Sequence, residues 1–307
     1  MPSRYCVSRR SARRLCQSHD PGPPEGGRGG ESSNPVWHTD WVTISPQLVA
    51  FDLDDTLAPS KSPVDPRMAR LLVQLLEVVE VCVISGGNFA QFQSQLVDNL
   101  PLDKPEALGR LHLMPTCGTQ YYRYVGDNPR EAFWHQQYAE NLTADEKKAA
   151  LRAVEAEAKQ LGLWADETWG PILEDRGSQI TFSALGQRAP VDAKKAWDPT
   201  GEKKNALRAA VQALLPQLEV RSGGSTSIDI TRVGIDKAYG MNRLAALTEI
   251  PIDEMLFVGD RLDPDGNDYP VKALGVPTFA VEGWEDTAEF VEAFLAARAD
   301  EAAERTE

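Results

Sequence analysis

Two carboxylates stand two residues apart, directly after a short apolar run. Asp52 and Asp54 follow Leu48–Phe51, whose four residues are all apolar. One carboxylate of such a pair can take up a phosphoryl group as a nucleophile, and the other can carry protons to and from the leaving oxygen. Two acids placed this close repel each other unless a cation joins them. The pattern predicts phosphoryl transfer at a site that also holds positive charge.

Three later segments could complete such a site. Ser85 and Gly86 offer a hydroxyl and backbone N–H groups to a phosphate oxygen. Lys237, at the predicted start of a helix, could neutralise the nucleophile and the transferring phosphoryl group. Acids also fill the loop GDRLDPDGND at 259–268, after the apolar run Met255–Val258. Hard carboxylate oxygens suit Mg²⁺, which keeps several waters and takes a substrate phosphate as a ligand. Taken alone, the serine–glycine pair also fits a common turn, and the lysine a solvated surface.

All four segments are positioned by a predicted parallel sheet. Apolar runs at 48–51, 81–84 and 255–258 alternate with helical periodicity at 66–79 and 237–247. This alternation is typical of a doubly wound, Rossmann-like α/β fold. Such sheets bind their ligands at the carboxyl ends of the strands, so we expect the four segments to meet there.

The middle of the chain has a different pattern. A capping box at Thr143–Glu146 begins a helix, and a second helix is predicted at 202–215. Strands are predicted at 172–176, 179–184, 218–221 and 227–231. The order helix, two strands, helix, two strands indicates an α+β cap with an antiparallel sheet, inserted into the core.

We therefore expect five segments along the chain. They are a disordered basic tail (1–45), a first core part (46–128), the α+β cap (129–232), a second core part (233–296) and an acidic C-terminal tail (297–307). Residues 1–45 contain six arginines and four acids and have no helical or strand periodicity. They lack the apolar stretch of a secretory signal, which leaves a transit peptide, a basic nucleic-acid arm, and a dispensable tail or over-called start as interpretations.

Composition excludes several classes of protein. The 307 residues include 32 Lys and Arg and 46 Asp and Glu, a formal charge of −14, which repels nucleic acid and acidic membrane surfaces. No apolar run approaches the roughly 20 residues that a membrane-spanning helix needs. The four cysteines show neither a disulfide framework nor metal-ligand spacing, so the predicted location is cytoplasmic.

In their order and context, these segments resemble the haloacid-dehalogenase superfamily of phosphotransferases. The resemblance implies that Asp52 is the nucleophile and a Mg²⁺ ligand. It implies that Asp54 is the general acid and base and offers its backbone carbonyl to the metal. Ser85 would hold the phosphoryl group, and Lys237 would balance charge.

The same resemblance assigns the loop at 259–268 to the metal. Asp260 would be the third protein ligand of Mg²⁺, Asp268 would act through a metal-bound water, and Asn267 would support the loop. A cap inserted between Ser85 and Lys237 resembles the type IIB branch, which acts mostly on sugar phosphates.

The likeness extends to the eukaryotic phosphomannomutases, over about residues 49–292. It rests on the spacing of the 259–268 loop, on the pair Ser227 and Asp229 shortly before Lys237, and on the segments ILEDRG at 172–177 and SALG at 183–186. It implies that Arg176, Ser227 and Asp229 contact the substrate, and that the cap strands bind its distal phosphate. It also allows a homodimer through the cap.

Three departures from that family bear on the reaction. Asp55 stands where a glycine is usual, the second motif reads Ser-Gly-Gly instead of Gly-Gly-Ser, and Gln187 occupies the place of a second cap arginine, with Arg188 next to it. A mutase must hold a bisphosphate intermediate, so a displaced arginine weakens the second phosphate site.

The sequence therefore favours a Mg²⁺-dependent phosphatase that removes phosphate from a hexose phosphate through an aspartyl-phosphate. The alternative is a phosphomannomutase that interconverts mannose 1-phosphate and mannose 6-phosphate, with Arg188 in place of the shifted arginine. A non-catalytic sugar-phosphate-binding protein is the third hypothesis.

Overall fold

The larger of two sheets contains the two apolar strands that acidic residues directly follow. The computed structural model describes residues 45–101, 105–126 and 133–305. Seven strands form this sheet: β1 Leu48–Phe51, β2 Glu80–Ile84, β3 Leu111–Met114, β4 Gln120–Val125, β5 Phe133–Ala139, β10 Met255–Gly259 and β11 Thr278–Ala280. Their spatial order is β11-β10-β1-β2-β3-β4-β5; the first five are parallel, and β4 and β5 are antiparallel to their neighbours.

Helices cover both faces of this sheet. They are α1 Pro66–Val78, α2 Phe89–Gln95, the short α3 Pro115–Gly118, α7 Lys237–Thr248, α8 Tyr269–Ala273 and α9 Trp284–Glu304. Strands β1 and β10 are buried along their whole length, because apolar clusters lie on either side of them. Burial on both faces explains why these strands are continuous apolar runs. We call this sheet and its helices the core layer.

The smaller sheet has four antiparallel strands in the order β6-β7-β9-β8. These strands are β6 Leu173–Asp175, β7 Ile180–Ser183, β8 Leu218–Ser222 and β9 Ser227–Arg232, and the accompanying helices are α4 Ala144–Gln160, α5 Val191–Trp197 and α6 Glu202–Leu214. Val154 of α4 and Val211 of α6 pack with Phe182 and Ile230 of the sheet in a separate apolar cluster. The predicted capping box at Thr143 and Glu146 is present. We call this unit the cap layer.

The predicted α/β core with an inserted α+β unit is confirmed, with differences at its edges. Strand β5 lies in the segment expected to be cap, but it pairs with β4 in the larger sheet. Residues 297–304, expected to be a tail, continue α9. Residues 1–44 lie outside the described residues, so the interpretations of that segment stay predictions. No helix in the described ranges is long and apolar enough to cross a membrane.

Candidate active site

The carboxyl ends of β1 and β10 bring three acids around one lysine. Asp52 follows β1, and Asp260 and Asp268 lie in the loop after β10; one carboxylate oxygen from each lies within 4.8 Å of the others. The Lys237 ammonium, at the start of α7, lies 2.7 Å from Asp52 Oδ1 and 2.5 Å from Asp268 Oδ1. Asp52, Asp268 and Lys237 are buried. The four residues therefore form a desolvated cluster with more negative than positive charge.

This donor set fits a hard divalent cation such as Mg²⁺. Three carboxylates face one ammonium, so a divalent cation would balance the cluster. Thr56 Oγ1 donates to Asp260 Oδ1 at 3.2 Å, and Arg261 N donates to Asp268 Oδ2 at 3.1 Å, which orients both acids. A Cβ built on Gly259 would lie 2.5 Å from Asp268 Oδ2, so glycine is needed for the acid to approach the strand end.

Burial dominates the electrostatics of the cluster. Desolvation raises the pKa of Asp52 to about 8 although Lys237 opposes it, and the charges of Asp268 and Asp260 add to the rise. Desolvation and the neighbouring Asp268 raise the pKa of Asp260 to about 6. For Lys237, burial lowers the pKa, but Asp268 and Asp52 outweigh it and the net direction is upward. Lys237 therefore stays charged, whereas the two acids hold their protons more tightly than usual.

We expect the thermal stabilisation by Mg²⁺ to grow as the pH rises from about 6 to about 8. A raised folded-state pKa means that, without metal, Asp52 and Asp260 stabilise the fold at low pH and lose this contribution as the pH rises through those values. A divalent cation competes with the same protons, so it binds more tightly at higher pH. The check is the difference in Tm with and without Mg²⁺ across this range.

Two aspartates of one loop provide the matched variants for this experiment. Asp260→Asn should flatten the pH dependence of the Mg²⁺-induced shift in Tm, because it removes one carboxylate whose proton competes with the metal. Asp263→Asn should leave the trend unchanged, because Asp263 is exposed and paired with Arg261. A Mg²⁺-induced shift in Tm that does not vary with pH in the wild-type protein would contradict the assignment.

Ser85 and Gly86 follow β2 as predicted, and they lie against the cap layer. Ser85 is buried, and its Oγ accepts a hydrogen bond from Gly87 N at 3.2 Å. The Gly86 carbonyl accepts from Arg176 Nη1 at 2.6 Å and from Gln179 Nε2 at 3.2 Å. The serine–glycine turn is thus fixed by donors that belong to the cap layer.

Asp54 is held apart from the three clustered acids. Its Oδ1 accepts from Lys61 N at 2.6 Å, and its Oδ2 accepts from Gln91 Nε2 at 2.8 Å. The next residue, Asp55, has φ 61°, in the left-handed region where glycine is favoured and aspartate is tolerated. The Asp55 carboxylate accepts from Ser60 N at 3.0 Å, so the turn keeps its shape without glycine.

The cap layer holds three of the predicted substrate residues, and two of them, Arg176 and Asp229, lie against the Ser85–Gly86 turn. Arg176 is nearly buried and donates to Glu174 as well as to the Gly86 carbonyl. Asp229 accepts from Thr181 Oγ1 at 2.7 Å, and burial raises the pKa of its carboxyl group although Arg176 opposes the shift. The Ser227 hydroxyl lies 2.9 Å from Ser183 Oγ.

Lys61 was not predicted to belong to the site, and it reaches the cap layer from the loop after β1. Its ammonium lies 2.5 Å from Gln187 Oε1, and Arg176 Nη2 lies 3.5 Å from the same oxygen. Although the residue as a whole is exposed, desolvation of the ammonium and then the charges of Lys194 and Arg176 lower the pKa of Lys61 to about 8. Two cations therefore converge on one neutral oxygen between the layers.

Arg188 does not take part in the contact that Lys61 and Arg176 make with Gln187. It is exposed, and its guanidinium lies against Gly170, where a built Cβ would be 3.0 Å from Arg188 Cζ. In the part of the chain that the structure describes, Arg188 forms no ion pair and Lys61 contacts Gln187 instead. Only the presence of a lysine seven residues after Asp54 could have pointed to Lys61 in the sequence.

Comparison with known proteins supplies the family. A family model described as "Eukaryotic phosphomannomutase" matches residues 68–297, about three quarters of the chain. The chain belongs to the eukaryotic phosphomannomutase family. It is therefore an enzyme of the haloacid-dehalogenase type, a phosphatase or a phosphomannomutase.

Curated members of the family match over most of their length. "Phosphomannomutase 1" of Homo sapiens is 23% identical over 248 residues, which cover 74% of this chain and 83% of that protein. "Probable phosphomannomutase" of Caenorhabditis elegans is 24% identical over 258 residues, which cover 81% of this chain and 95% of that protein. The chain thus aligns with most of the length of these two relatives, at low identity.

Solved structures of related enzymes share the fold. The N-terminally truncated, IMP-bound IMP-nucleotidase of Plasmodium falciparum superposes with a TM-score of 0.60 at 15% identity, over 83% of this chain and 69% of that one. A haloacid dehalogenase-like hydrolase from Bacteroides thetaiotaomicron superposes with a TM-score of 0.53 at 15% identity, over 81% and 99%. At this identity the likeness concerns architecture alone.

Proposed function

We propose that the chain is a Mg²⁺-dependent hexose phosphomutase that interconverts mannose 1-phosphate and mannose 6-phosphate. The observation that carries this proposal is the convergence of Lys61 and Arg176 on Gln187 Oε1. A mutase needs cations that hold the second phosphate of the bisphosphate while the first phosphate reacts. Lys61 and Arg176 can provide this positive charge although residue 187 is not an arginine. The names of the curated relatives favour the same activity.

The proposed chemistry uses two aspartates in two half-reactions. The Asp52 carboxylate attacks one phosphorus of a hexose 1,6-bisphosphate, the bond from that phosphorus to the sugar oxygen breaks, and Asp54 gives its proton to that oxygen, which leaves a hexose monophosphate. In the second half, Asp54 takes a proton from the free hydroxyl of a bound hexose monophosphate, that oxygen attacks the aspartyl-phosphate, and the bisphosphate and the Asp52 carboxylate are formed again. When bound, Mg²⁺ would be held by Asp52, Asp260 and the backbone carbonyl of Asp54, and it would neutralise charge on the phosphoryl oxygens. Lys237 opposes the rise in the pKa of Asp52 and orients its carboxylate, and Ser85 donates to a phosphoryl oxygen.

A phosphatase that acts on a sugar phosphate is the second candidate. It is favoured by Gln187 itself, because a neutral amide binds phosphate less strongly than an arginine does. In that case water takes the place of the acceptor hydroxyl.

We further propose that the core and cap layers act as two domains, that the enzyme is cytoplasmic and that a homodimer can form through the cap layer.

Product identity separates the two candidates. Phosphorus NMR would follow the enzyme with Mg²⁺ and mannose 1-phosphate, with and without a trace of hexose 1,6-bisphosphate. We expect mannose 6-phosphate, formed faster with the bisphosphate. Free phosphate as the main product would reject the mutase and support the phosphatase.

Lys61→Met should lower mutase turnover about tenfold to about 100-fold, the cost of losing one hydrogen bond to a charged group. The backbone N–H of residue 61 still holds Asp54, so hydrolysis of a simple aryl phosphate should change little. The ratio of the two rates is the measurement. Arg188→Gln is the matched control, and it should leave both rates within about twofold. Equal loss of both activities in Lys61→Met would contradict a role for this side chain at the second phosphate.

A further inference from the structure

We propose that Gln91 is a positioning residue that fixes the orientation of the Asp54 carboxylate. The inference rests on the proposed function, because Asp54 is the residue that would protonate the leaving oxygen. It goes beyond that function by naming what holds the acid in place.

Both oxygens of Asp54 are held by neutral donors. Lys61 N and Gln95 Nε2 donate to Oδ1 at 2.6 Å and 3.2 Å. Gln91 Nε2 donates to Oδ2 at 2.8 Å, and within the described ranges no other hydrogen bond reaches that oxygen. The orientation of Oδ2 therefore depends on one side chain.

That orientation matters because the terminal torsion of aspartate has broad minima. A general acid must lie within hydrogen-bond reach of the oxygen that it protonates, and a displacement of about 1 Å can cost about 100-fold in rate. Without the amide of Gln91, the Asp54 carboxylate could turn away from the leaving oxygen. Gln95 cannot replace it, because its Nε2 is already shared between Asp54 Oδ1 and the Ser62 carbonyl.

The position of Gln91 is itself determined by two neighbours. Asn88 caps α2 by accepting a hydrogen bond from Gln91 N at 2.9 Å, which fixes the backbone. Gly87 leaves the side chain its space, since a Cβ built there would lie 2.6 Å from Gln91 Oε1 and 2.8 Å from its Cδ. The second glycine of the Ser-Gly-Gly turn thus acts on Asp54 through Gln91.

The test compares substrates whose leaving groups differ in their need for a proton. Gln91→Met keeps the length of the side chain and removes the donor. We expect it to lower kcat/KM for mannose 1-phosphate about tenfold to about 100-fold, and kcat/KM for p-nitrophenyl phosphate by less than about twofold, because p-nitrophenolate leaves without protonation and kcat/KM reports the step that phosphorylates Asp52. Across aryl phosphates from p-nitrophenyl to phenyl, the defect should grow with the pKa of the leaving group.

Three further variants complete the series. Gln91→Lys restores an N–H donor on a side chain of similar length and should recover most of the loss. Gly87→Ala, which displaces the amide, should reproduce the pattern of Gln91→Met. Gln93→Met is the matched control on the same helix, because Gln93 donates to Asp98 and not to the site.

The outcomes separate this inference from the proposed function. A defect of equal size for every leaving group, no defect at all, or a selective defect that Gln91→Lys fails to recover would overturn the positioning role. Wild-type enzyme that acts on aryl phosphates and not on mannose 1-phosphate would overturn the proposed substrate, and the aryl series would still decide the role of Gln91.

Discussion

Replacing Asp52 by asparagine is expected to lower turnover at least about 10⁴-fold, the scale seen when a covalent nucleophile is removed. Asparagine has nearly the same shape and can still accept a hydrogen bond from Lys237, so the site should keep its geometry. The lost property is the nucleophilic oxygen. Steady-state kinetics, together with trapping of the phosphorylated protein from labelled substrate, measures both turnover and the aspartyl-phosphate.

The neighbouring aspartate provides the control. Asp55→Asn should leave turnover within about twofold, because Asp55 is exposed and, among the described residues, its side chain accepts only from Ser60 N. An Asp52→Asn enzyme that still turned over at a tenth of the wild-type rate would rule out covalent catalysis at this position.

Lys237→Met should affect both catalysis and stability. It removes the only cation described among Asp52, Asp260 and Asp268, leaving three acids around an apolar side chain. Breaking a buried ion pair by removing one partner costs roughly 3–5 kcal/mol. Turnover should fall by about 10²-fold to about 10³-fold, because a charge aimed at the phosphoryl group is lost.

A divalent cation can replace part of the lost charge. We therefore expect Mg²⁺ to raise the Tm of Lys237→Met more than that of the wild-type protein, as measured by thermal unfolding with and without the metal. Lys272→Met, at an exposed lysine on α8, should behave like the wild type. If Lys237→Met unfolded at the wild-type Tm and ignored Mg²⁺, the lysine would not be the counter-charge of the acidic cluster.

The centre of the fold and the clustered acids were predictable because their signals are local. A strand buried on both faces must be apolar throughout, and β1 and β10 are. In a parallel sheet, residues that follow adjacent strands emerge at one edge, so Asp52 and Asp260 had to be neighbours. The meeting of these residues with Lys237 followed from the same topology.

Elements without fully buried residues could not be predicted from the sequence. Strand β5 has no fully buried residue at the sheet edge, and the polar residues 135–137 interrupt its apolar ones, so no continuous apolar run marks it. Helix α5 has seven residues and no buried one among them, which leaves no periodicity to detect. The contacts of Lys61 depend on a turn in which its own φ is 57°, and the direction of a long side chain from such a turn cannot be read from neighbouring residue types.

The sheet order has a consequence for how the enzyme is made. Strand β1 lies between β2, which follows within about 30 residues, and β10, which begins at Met255. A chain synthesised from its N-terminus therefore releases every strand and helix of the cap layer before β1 acquires its second neighbour. Asp260 and Asp268 emerge later still. The phosphate chemistry is thus unavailable to a nascent chain and begins only when translation has passed the last acid of the cluster.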